Sequence, residues 1–222
     1  MRLSDIAREI PERMLEILRE AKIDELRPCQ EKAIGAGLLK GKSVLVCTPT
    51  ASGKTLVGEL AFAPAIMSRT GKGIYIVPLK ALAEEKFRDF RQRYGKEFKV
   101  ALSIGDIDST DPFLKDYDLI ITTSEKLDSL IRHSAAWLRD VKVIVVDEIH
   151  LLNDPERGPT LEILLTMLMR MLSKLQIVGL SATIGNAKEL GEWLKSEVIM
   201  DDWRPVKLRK GIMIDNTVEF FE

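Results

Sequence analysis

A run of small and hydroxyl-bearing residues that ends in lysine and threonine is the part of this sequence best suited to chemistry. It follows an apolar stretch, Ser43–Cys47, and precedes a segment of helical length, Leu56–Met67. Small residues let backbone N–H groups curl around a phosphate, Lys54 supplies a positive charge for the β- and γ-phosphates, and the Thr55 hydroxyl can ligate Mg²⁺. The sequence therefore predicts a P-loop, formed by Thr48, Pro49, Thr50, Ala51, Ser52, Gly53, Lys54 and Thr55.

The match to the general P-loop pattern is incomplete at its first position, where Thr48 stands in place of glycine. The prediction therefore depends on Gly53, Lys54 and Thr55 and on the strand and helix that flank them. A turn that contains these three residues by chance is the alternative. The correct order of strand, loop and helix favours the P-loop.

An acidic pair supplies the second half of the expected chemistry. Asp147 and Glu148 directly follow the apolar run Val143–Val146. In an ATPase, such an aspartate can hold Mg²⁺ through water while the adjacent glutamate polarises the attacking water. The alternative is a solvated acidic pair at the end of a strand. Together with the P-loop upstream, the pair predicts binding and hydrolysis of ATP with Mg²⁺.

Short β-rich runs alternate with helical-length segments after residue 41, and this pattern must position both motifs. The runs are uniformly apolar rather than alternating, which is typical of parallel strands covered on both faces by helices. The sequence therefore predicts an α/β fold with a mostly parallel sheet and helices on both faces. The expected strands are Ser43–Cys47, Gly73–Val77, Lys99–Leu102, Asp118–Thr122, Val141–Val146, Gln176–Leu180 and Ser196–Met200.

Both ends of the sequence also carry structural signals. Pro11 and the apolar stripe Ile10, Met14, Ile17 and Leu18 predict an amphipathic helix. A second helix is expected from about residue 28 to residue 39. The last stretch, 203–222, has no helical period and predicts either an edge strand or an exit from the domain.

Composition limits the classes of protein to consider. The chain has 222 residues, 45% of them apolar, which favours one compact domain. Its formal net charge of −1 excludes histone-like coating of nucleic acid, so any nucleic-acid contact needs a local basic patch. The two cysteines, Cys29 and Cys47, are expected to be buried thiols in a reducing compartment. No apolar run is long enough to span a membrane, and we expect a cytoplasmic protein without a membrane partner.

With Asp147-Glu148-Ile149-His150 in view, the sequence resembles the superfamily 2 DExH helicases, and the resemblance covers nearly the whole chain. It implies a P-loop RecA-like lobe in which the Gln30 amide reads the adenine edge. His150, Ser181 and Thr183 would couple the γ-phosphate site to movement. The segments Val77–Leu82 and Ile121–Lys126 resemble nucleic-acid-facing motifs of the family. The implied nucleic-acid residues are Pro78, Lys80, Gly105, Asp106, Thr122, Thr123 and Lys126.

Finer features resemble the archaeal Hjm (Holliday junction migration) DNA-repair helicases. They are the stretches Ser124–Arg132, Gly105–Asp106, Arg157–Glu162 and Trp203–Val206. This resemblance implies ATP-driven translocation on single-stranded DNA, in repair or in restart of replication forks, with single-stranded or branched DNA as a binding partner. Two alternatives stay open: a nucleotide-responsive binding module without turnover, and a lobe of an RNA-directed DExH helicase.

The motifs of this family that the chain contains belong to the first of two RecA-like lobes. We therefore expect three parts: helices with the adenine-sensing motif in 1–40, the ATP-binding core in 41–202, and an exit segment toward the second lobe in 203–222. The second lobe is the expected partner. Little catalytic activity is expected from residues 1–222 alone.

Overall fold

A single seven-stranded parallel sheet forms the centre of the protein in the computed structural model, which describes residues 1–105, 111–215 and 217–221. The strands lie in the order β3-β4-β2-β5-β6-β1-β7. Their bounds are β1 Val44–Cys47, β2 Lys72–Ile76, β3 Val100–Ser103, β4 Leu119–Thr122, β5 Val141–Val146, β6 Gln176–Ser181 and β7 Glu197–Met200. Each predicted strand is therefore present, and the predicted α/β class is confirmed.

Two layers of helices cover the sheet. Their bounds are α1 Glu12–Glu20, α2 Pro28–Gly35, α3 Lys54–Met67, α4 Lys80–Tyr94, α5 Ser124–Arg132, α6 Gly158–Met171 and α7 Ala187–Leu194. Along β1, Val44 and Val46 pack in one core with α1 to α4, while Leu45 and Cys47 pack in a second core with α5 to α7. Because successive strand residues point to opposite faces, both faces must be apolar, and this explains the uniformly apolar runs.

The N-terminal helices differ slightly from expectation. Helix α1 buries Met14, Ile17 and Leu18, as the amphipathic stripe predicts. Helix α2 ends at Gly35, four residues before the predicted end. Gly37 then takes a left-handed φ of 104°, and a short 3₁₀ helix, Leu38–Lys40, completes the segment. Glycine enters this conformation without a steric penalty, so the α-helix stops there.

The end of the chain forms a separate hairpin, so the prediction of an edge strand is wrong. Strands β8 (Lys210–Ile214) and β9 (Thr217–Phe221) pair only with each other, in antiparallel register. Every described residue of the two strands is exposed. The edge beside β1 is occupied by β7 instead.

The strand order brings the predicted motifs to one edge of the sheet. In a parallel sheet all carboxyl ends lie at the same edge, where ligands usually bind. The neighbours β5, β6 and β1 end at Asp147, Ser181 and the P-loop, respectively. The other neighbours, β2, β4 and β3, lead to the segments predicted to face nucleic acid. The P-loop and the acidic pair therefore lie at one half of this edge, called here the nucleotide half after the sequence prediction, and the segments predicted to face nucleic acid lie at the other half.

Candidate active site

The P-loop lies between β1 and α3 and has the backbone of an anion-binding loop. Gly53 precedes the first turn of α3 with φ 94°, and Ala51 is also left-handed, with φ 65°. A Cβ at Gly53 would lie 2.5 Å from Gln30 Nε2 and 2.9 Å from Arg27 Cδ, so only glycine fits. Inside the loop, the Thr48 and Ser52 hydroxyls are hydrogen-bonded at 2.8 Å. These features fit a polyphosphate held by backbone N–H groups at a helix N-terminus.

Lys54 begins α3, and its ammonium lies against the carbonyl oxygens of the loop. Lys54 Nζ donates to Thr48 O at 2.8 Å and to Pro49 O at 3.0 Å. Burial lowers the pKa of Lys54, and the nearby Glu148 and Asp147 carboxylates oppose that shift. The Lys54 side chain therefore lies between the loop and the acidic pair. A phosphate oxygen is a stronger hydrogen-bond acceptor for its ammonium than a carbonyl oxygen is.

Gln30 joins the start of α2 to the P-loop. Its Oε1 accepts a hydrogen bond from Arg27 N at 2.8 Å, and its Nε2 donates to Gly53 O at 2.9 Å. Both polar atoms of this buried amide are thus engaged within the protein. An open cavity of about 410 Å³ lies beside it, with Arg27, Gly53 and Thr55 among its lining residues. The expected contact of Gln30 with adenine stays a prediction, and it would use the second amide hydrogen.

Asp147 is held by three hydrogen bonds, two to the neighbouring strand β2 and one to the next residue. Its backbone N donates to Ile76 O at 2.8 Å, its Oδ2 accepts from Tyr75 Oη at 2.9 Å, and its Oδ1 accepts from Glu148 N at 3.1 Å. Glu148 is left-handed, with φ 52° and ψ 44°. A strained glutamate beside a held aspartate is typical of a functional site.

Sequence reasoning missed Tyr75. It is fully buried in β2, between Ile74 and Ile76 along the strand. Burial is the main cause that raises its pKa well above the usual value, and the Asp147 charge adds to the shift. The phenol therefore stays protonated and donates to Asp147. The available signal was a tyrosine within the buried strand Gly73–Val77, because a buried hydroxyl requires a partner.

The predicted coupling residues lie just after β5 and at the end of β6. His150 Nδ1 lies 3.3 Å from Glu148 Oε2, without hydrogen-bond geometry. Ser181 is buried at the end of β6, and its backbone O accepts from Thr48 N at 3.2 Å. Its Oγ has no hydrogen-bond partner among the described residues. Thr183 is exposed just beyond. The geometry thus connects Ser181 directly to the P-loop, whereas a coupling role for Thr183 stays a prediction.

A magnesium ion fits the chemistry of the donors at the junction of loop and acid pair. Thr55 and Asp147 offer hydroxyl and carboxylate oxygens, the hard ligands that Mg²⁺ takes together with water and phosphates. No group of three or more His, Cys, Asp or Glu residues suited to a metal occurs within the described ranges. The donor set therefore suits an ion that arrives with a nucleotide.

Of the predicted nucleic-acid residues, those after β2 and β3 are accessible. Lys80 is exposed at the start of α4, Pro78 is half-buried, and Gly105 is exposed beyond β3. Asp106 lies outside the described residues. Leu79 precedes α4 without a side-chain cap, so the first-turn N–H groups of α4 have no such partner. This helix start has the donors and charge that a phosphate requires.

Three other predicted contacts, Lys126, Thr122 and Thr123, are buried. Lys126 is 1% exposed, and its Nζ lies 3.2 Å from Asp111 Oδ2 in a buried ion pair, so it does not present its charge to a ligand. The Thr122 hydroxyl is fully buried and donates to Ser103 O at 2.7 Å. Thr123 caps α5 by accepting from Lys126 N at 3.5 Å. These side chains therefore support the loop after β4.

Both cysteines are buried free thiols, as expected. Burial raises the pKa of each. Cys29 Sγ lies 3.4 Å from Ser52 O, and Cys47 ends the strand that enters the P-loop. Both therefore belong to the packing beneath the nucleotide half.

The class that this fold and site define is confirmed by comparison with known families. The sequence model of the family described as "DEAD/DEAH box helicase" matches residues 27–190. The chain belongs to this family. The matched range includes the P-loop, the acidic pair and every other site residue considered above.

Individual relatives identify a narrower group within this family. The ATP-dependent DNA helicase Hel308 of Pyrococcus abyssi is 54% identical over 209 residues, which are 94% of this chain and 29% of that protein. Hel308 of Methanocaldococcus jannaschii is 55% identical over 216 residues, covering 94% of this chain and 18% of that protein. This chain therefore spans less than a third of these relatives, and its similarity to archaeal DNA helicases, expected from the sequence, is confirmed.

A solved structure also matches. The DUF1998 helicase MrfA bound to DNA superposes with a TM-score of 0.73 at 29% identity, covering 87% of this chain and 30% of that chain. The RecA-like architecture is thereby confirmed. None of the described helices has the length and apolar character needed to cross a bilayer.

Proposed function

We propose that this chain is the ATP- and Mg²⁺-binding first lobe of an ATP-dependent DNA helicase that translocates on single-stranded or branched DNA in repair or restart of replication forks. The observation that carries the proposal is that the P-loop, after β1, and Asp147 and Glu148, after β5, lie at the same edge of the sheet with only β6 between the two strands. The Hel308 relatives are named ATP-dependent DNA helicases, which supports the choice of DNA. We also propose a cytoplasmic location.

The residues of the nucleotide half have distinct roles in this proposal. The P-loop amides and the Lys54 ammonium bind the β- and γ-phosphates, and Gln30 contacts adenine. Thr55 and Asp147 hold Mg²⁺, which when bound neutralises charge on the phosphate oxygens. Glu148 orients and polarises the attacking water. Its carboxylate lies near enough to Lys54 to oppose the lowering of the Lys54 pKa.

The DNA contact is proposed for the other half of the edge. The uncapped start of α4, with Lys80, offers backbone N–H groups and one ammonium to a phosphate. Pro78 and Gly105 lie beside it. Such contacts read the backbone rather than the bases, so we expect weak, salt-dependent binding with little sequence preference.

Catalysis requires a positive charge on the far side of the γ-phosphate. In related ATPases and GTPases an arginine finger contributes about 10³–10⁵ in rate. Neither the P-loop nor the acidic motif contains an arginine. We propose that the second lobe supplies this positive charge. The exit segment 203–222 would lead to that lobe.

The test compares residues 1–222 with a longer protein that includes the natural downstream region. DNA-stimulated phosphate release is expected from the longer protein and is expected to be nearly absent from residues 1–222. Glu148→Gln in the longer protein should abolish hydrolysis and leave ATP binding intact, whereas Glu189→Gln, an exposed control on α7, should leave both unchanged.

Three outcomes would contradict this proposal. Robust DNA-stimulated release by residues 1–222, lost on Glu148→Gln, would mean that this lobe completes its own site. ATP binding without release by the longer protein would favour a binding module without turnover. Stronger stimulation by RNA than by DNA would favour an RNA-directed helicase.

A further inference from the structure

We propose that Tyr75 is a positioning residue, whose hydroxyl holds the Asp147 carboxylate in the orientation needed to bind the nucleotide-associated metal ion. The inference rests on the proposed function and extends it to a residue outside the P-loop and the acidic motif. Its basis is the 2.9 Å hydrogen bond from Tyr75 Oη to Asp147 Oδ2.

The Asp147 carboxylate is constrained at both oxygens. Tyr75 Oη donates to Oδ2, and the Glu148 backbone N donates to Oδ1 at 3.1 Å. Each oxygen keeps a further lone pair for a metal or its water. Side chains that hold a metal ligand in this way fix its direction, and their loss typically lowers metal affinity 10- to 100-fold.

The position of Tyr75 brings both metal donors to one place. Helix α3 approaches β2 closely at Gly58, where a Cβ would lie 3.4 Å from Tyr75 Cε2. Thr55 precedes Gly58 by three residues and therefore lies on the same face of the helix. The Thr55 side chain lies near enough to the phenol to oppose the rise in the pKa of Tyr75. The Tyr75 hydroxyl thus binds Asp147 and lies close to Thr55.

The ring of Tyr75 is held by its neighbours, so the hydroxyl cannot turn away. Tyr75 is fully buried, and its ring packs edge-on against Phe62 and Phe90, with centroids 6.4 and 5.1 Å away. Phenylalanine would keep this packing and remove only the oxygen. The matched variant Tyr75→Phe therefore isolates the hydrogen bond.

Tyr94 provides a control in the same core. It is also fully buried and packs edge-on against Phe62, but its hydroxyl donates to Glu59 Oε2 at 2.6 Å. Tyr94→Phe removes an equally buried hydroxyl that does not contact Asp147. A merely structural effect should be similar in the two variants, whereas an effect on the metal should appear only in Tyr75→Phe.

The experiment measures the affinity of residues 1–222 for a non-hydrolysable fluorescent ATP analogue, with Mg²⁺ and with EDTA. The readout is the factor by which Mg²⁺ tightens binding. Tyr75→Phe is expected to reduce that factor about tenfold, with affinity in EDTA unchanged within about twofold. Asp147→Asn should reduce it at least as much. Tyr94→Phe should leave it unchanged.

The outcomes separate this inference from the proposed function. If Asp147→Asn reduces the Mg²⁺ factor and Tyr75→Phe does not, the inference alone is overturned. Equal losses in Tyr75→Phe and Tyr94→Phe would also overturn it, because they would reflect general damage to the core. If the wild-type chain does not bind the analogue, the proposed function itself fails, and the inference with it.

Discussion

Replacing Glu148 by glycine is expected to give a more stable protein than replacing it by alanine. At φ 52° and ψ 44°, the Cβ of any L-residue crowds the following carbonyl, at a cost of about 1–2 kcal/mol. Glycine avoids this crowding but loses about 0.5–1 kcal/mol more backbone entropy on folding. Because both variants remove the same carboxylate, the difference between them isolates the backbone effect.

The expected advantage of Glu148→Gly over Glu148→Ala is about 1 kcal/mol in the free energy of unfolding. For a domain of this size that corresponds to about 2–4 °C in melting temperature. Urea unfolding and thermal melting both measure it. Both variants should lose hydrolysis in the longer protein, because both lack the carboxylate proposed to polarise the attacking water.

Lys195 supplies the control for this comparison. It ends α7 with φ 52° and ψ 43°, nearly the same backbone conformation. Lys195→Gly should exceed Lys195→Ala in stability by a similar amount, with no change in nucleotide binding. If the Lys195 variants separate as expected while Glu148→Gly is no more stable than Glu148→Ala, the claim of strain at Glu148 is refuted.

Burial raises the pKa of both cysteines, Cys29 and Cys47. Because the thiolate is the reactive form, alkylation of the folded chain at pH 8 should be slow. The alkylation rate should rise about tenfold per pH unit below the pKa. Equal rates for folded and urea-unfolded chain would contradict this. Lys126→Met removes one half of a buried ion pair and should lower the free energy of unfolding by about 3 kcal/mol. Lys80→Ala should leave stability unchanged and lower the salt slope of single-stranded DNA binding by about one. The reverse pattern would mean that Lys126, not Lys80, faces DNA.

The fold and the nucleotide half were predictable because their signals are local. Uniformly apolar runs such as Val143–Val146 indicate buried parallel strands, and the P-loop combines residue types that only one backbone arrangement uses well. The order of β5, β6 and β1 in the sheet then brings Asp147, Ser181 and the P-loop together. The family resemblance of the sequence motifs predicts the same grouping without information on which strands pair.

The remaining features depend on contacts between distant parts of the chain. Lys126 lies in α5 and pairs with Asp111, which lies between β3 and β4, and no short sequence pattern specifies the approach of these two segments. Tyr75 and Asp147 lie 72 positions apart and meet only because β2 pairs with β5. The hairpin of β8 and β9 was ambiguous because a β-rich run does not identify its partner strand.

Thermal unfolding of residues 1–222 with and without Mg²⁺ and ADP tests the central claim most directly. If the P-loop binds nucleotide, ligand at about 100 times its dissociation constant should stabilise the fold by about 2.7 kcal/mol, or about 5–10 °C. Lys54→Ala should lose most of this shift, whereas the control Lys195→Ala should keep it. An unchanged melting curve at millimolar nucleotide, or an equal shift in Lys54→Ala, would contradict the assignment of this site.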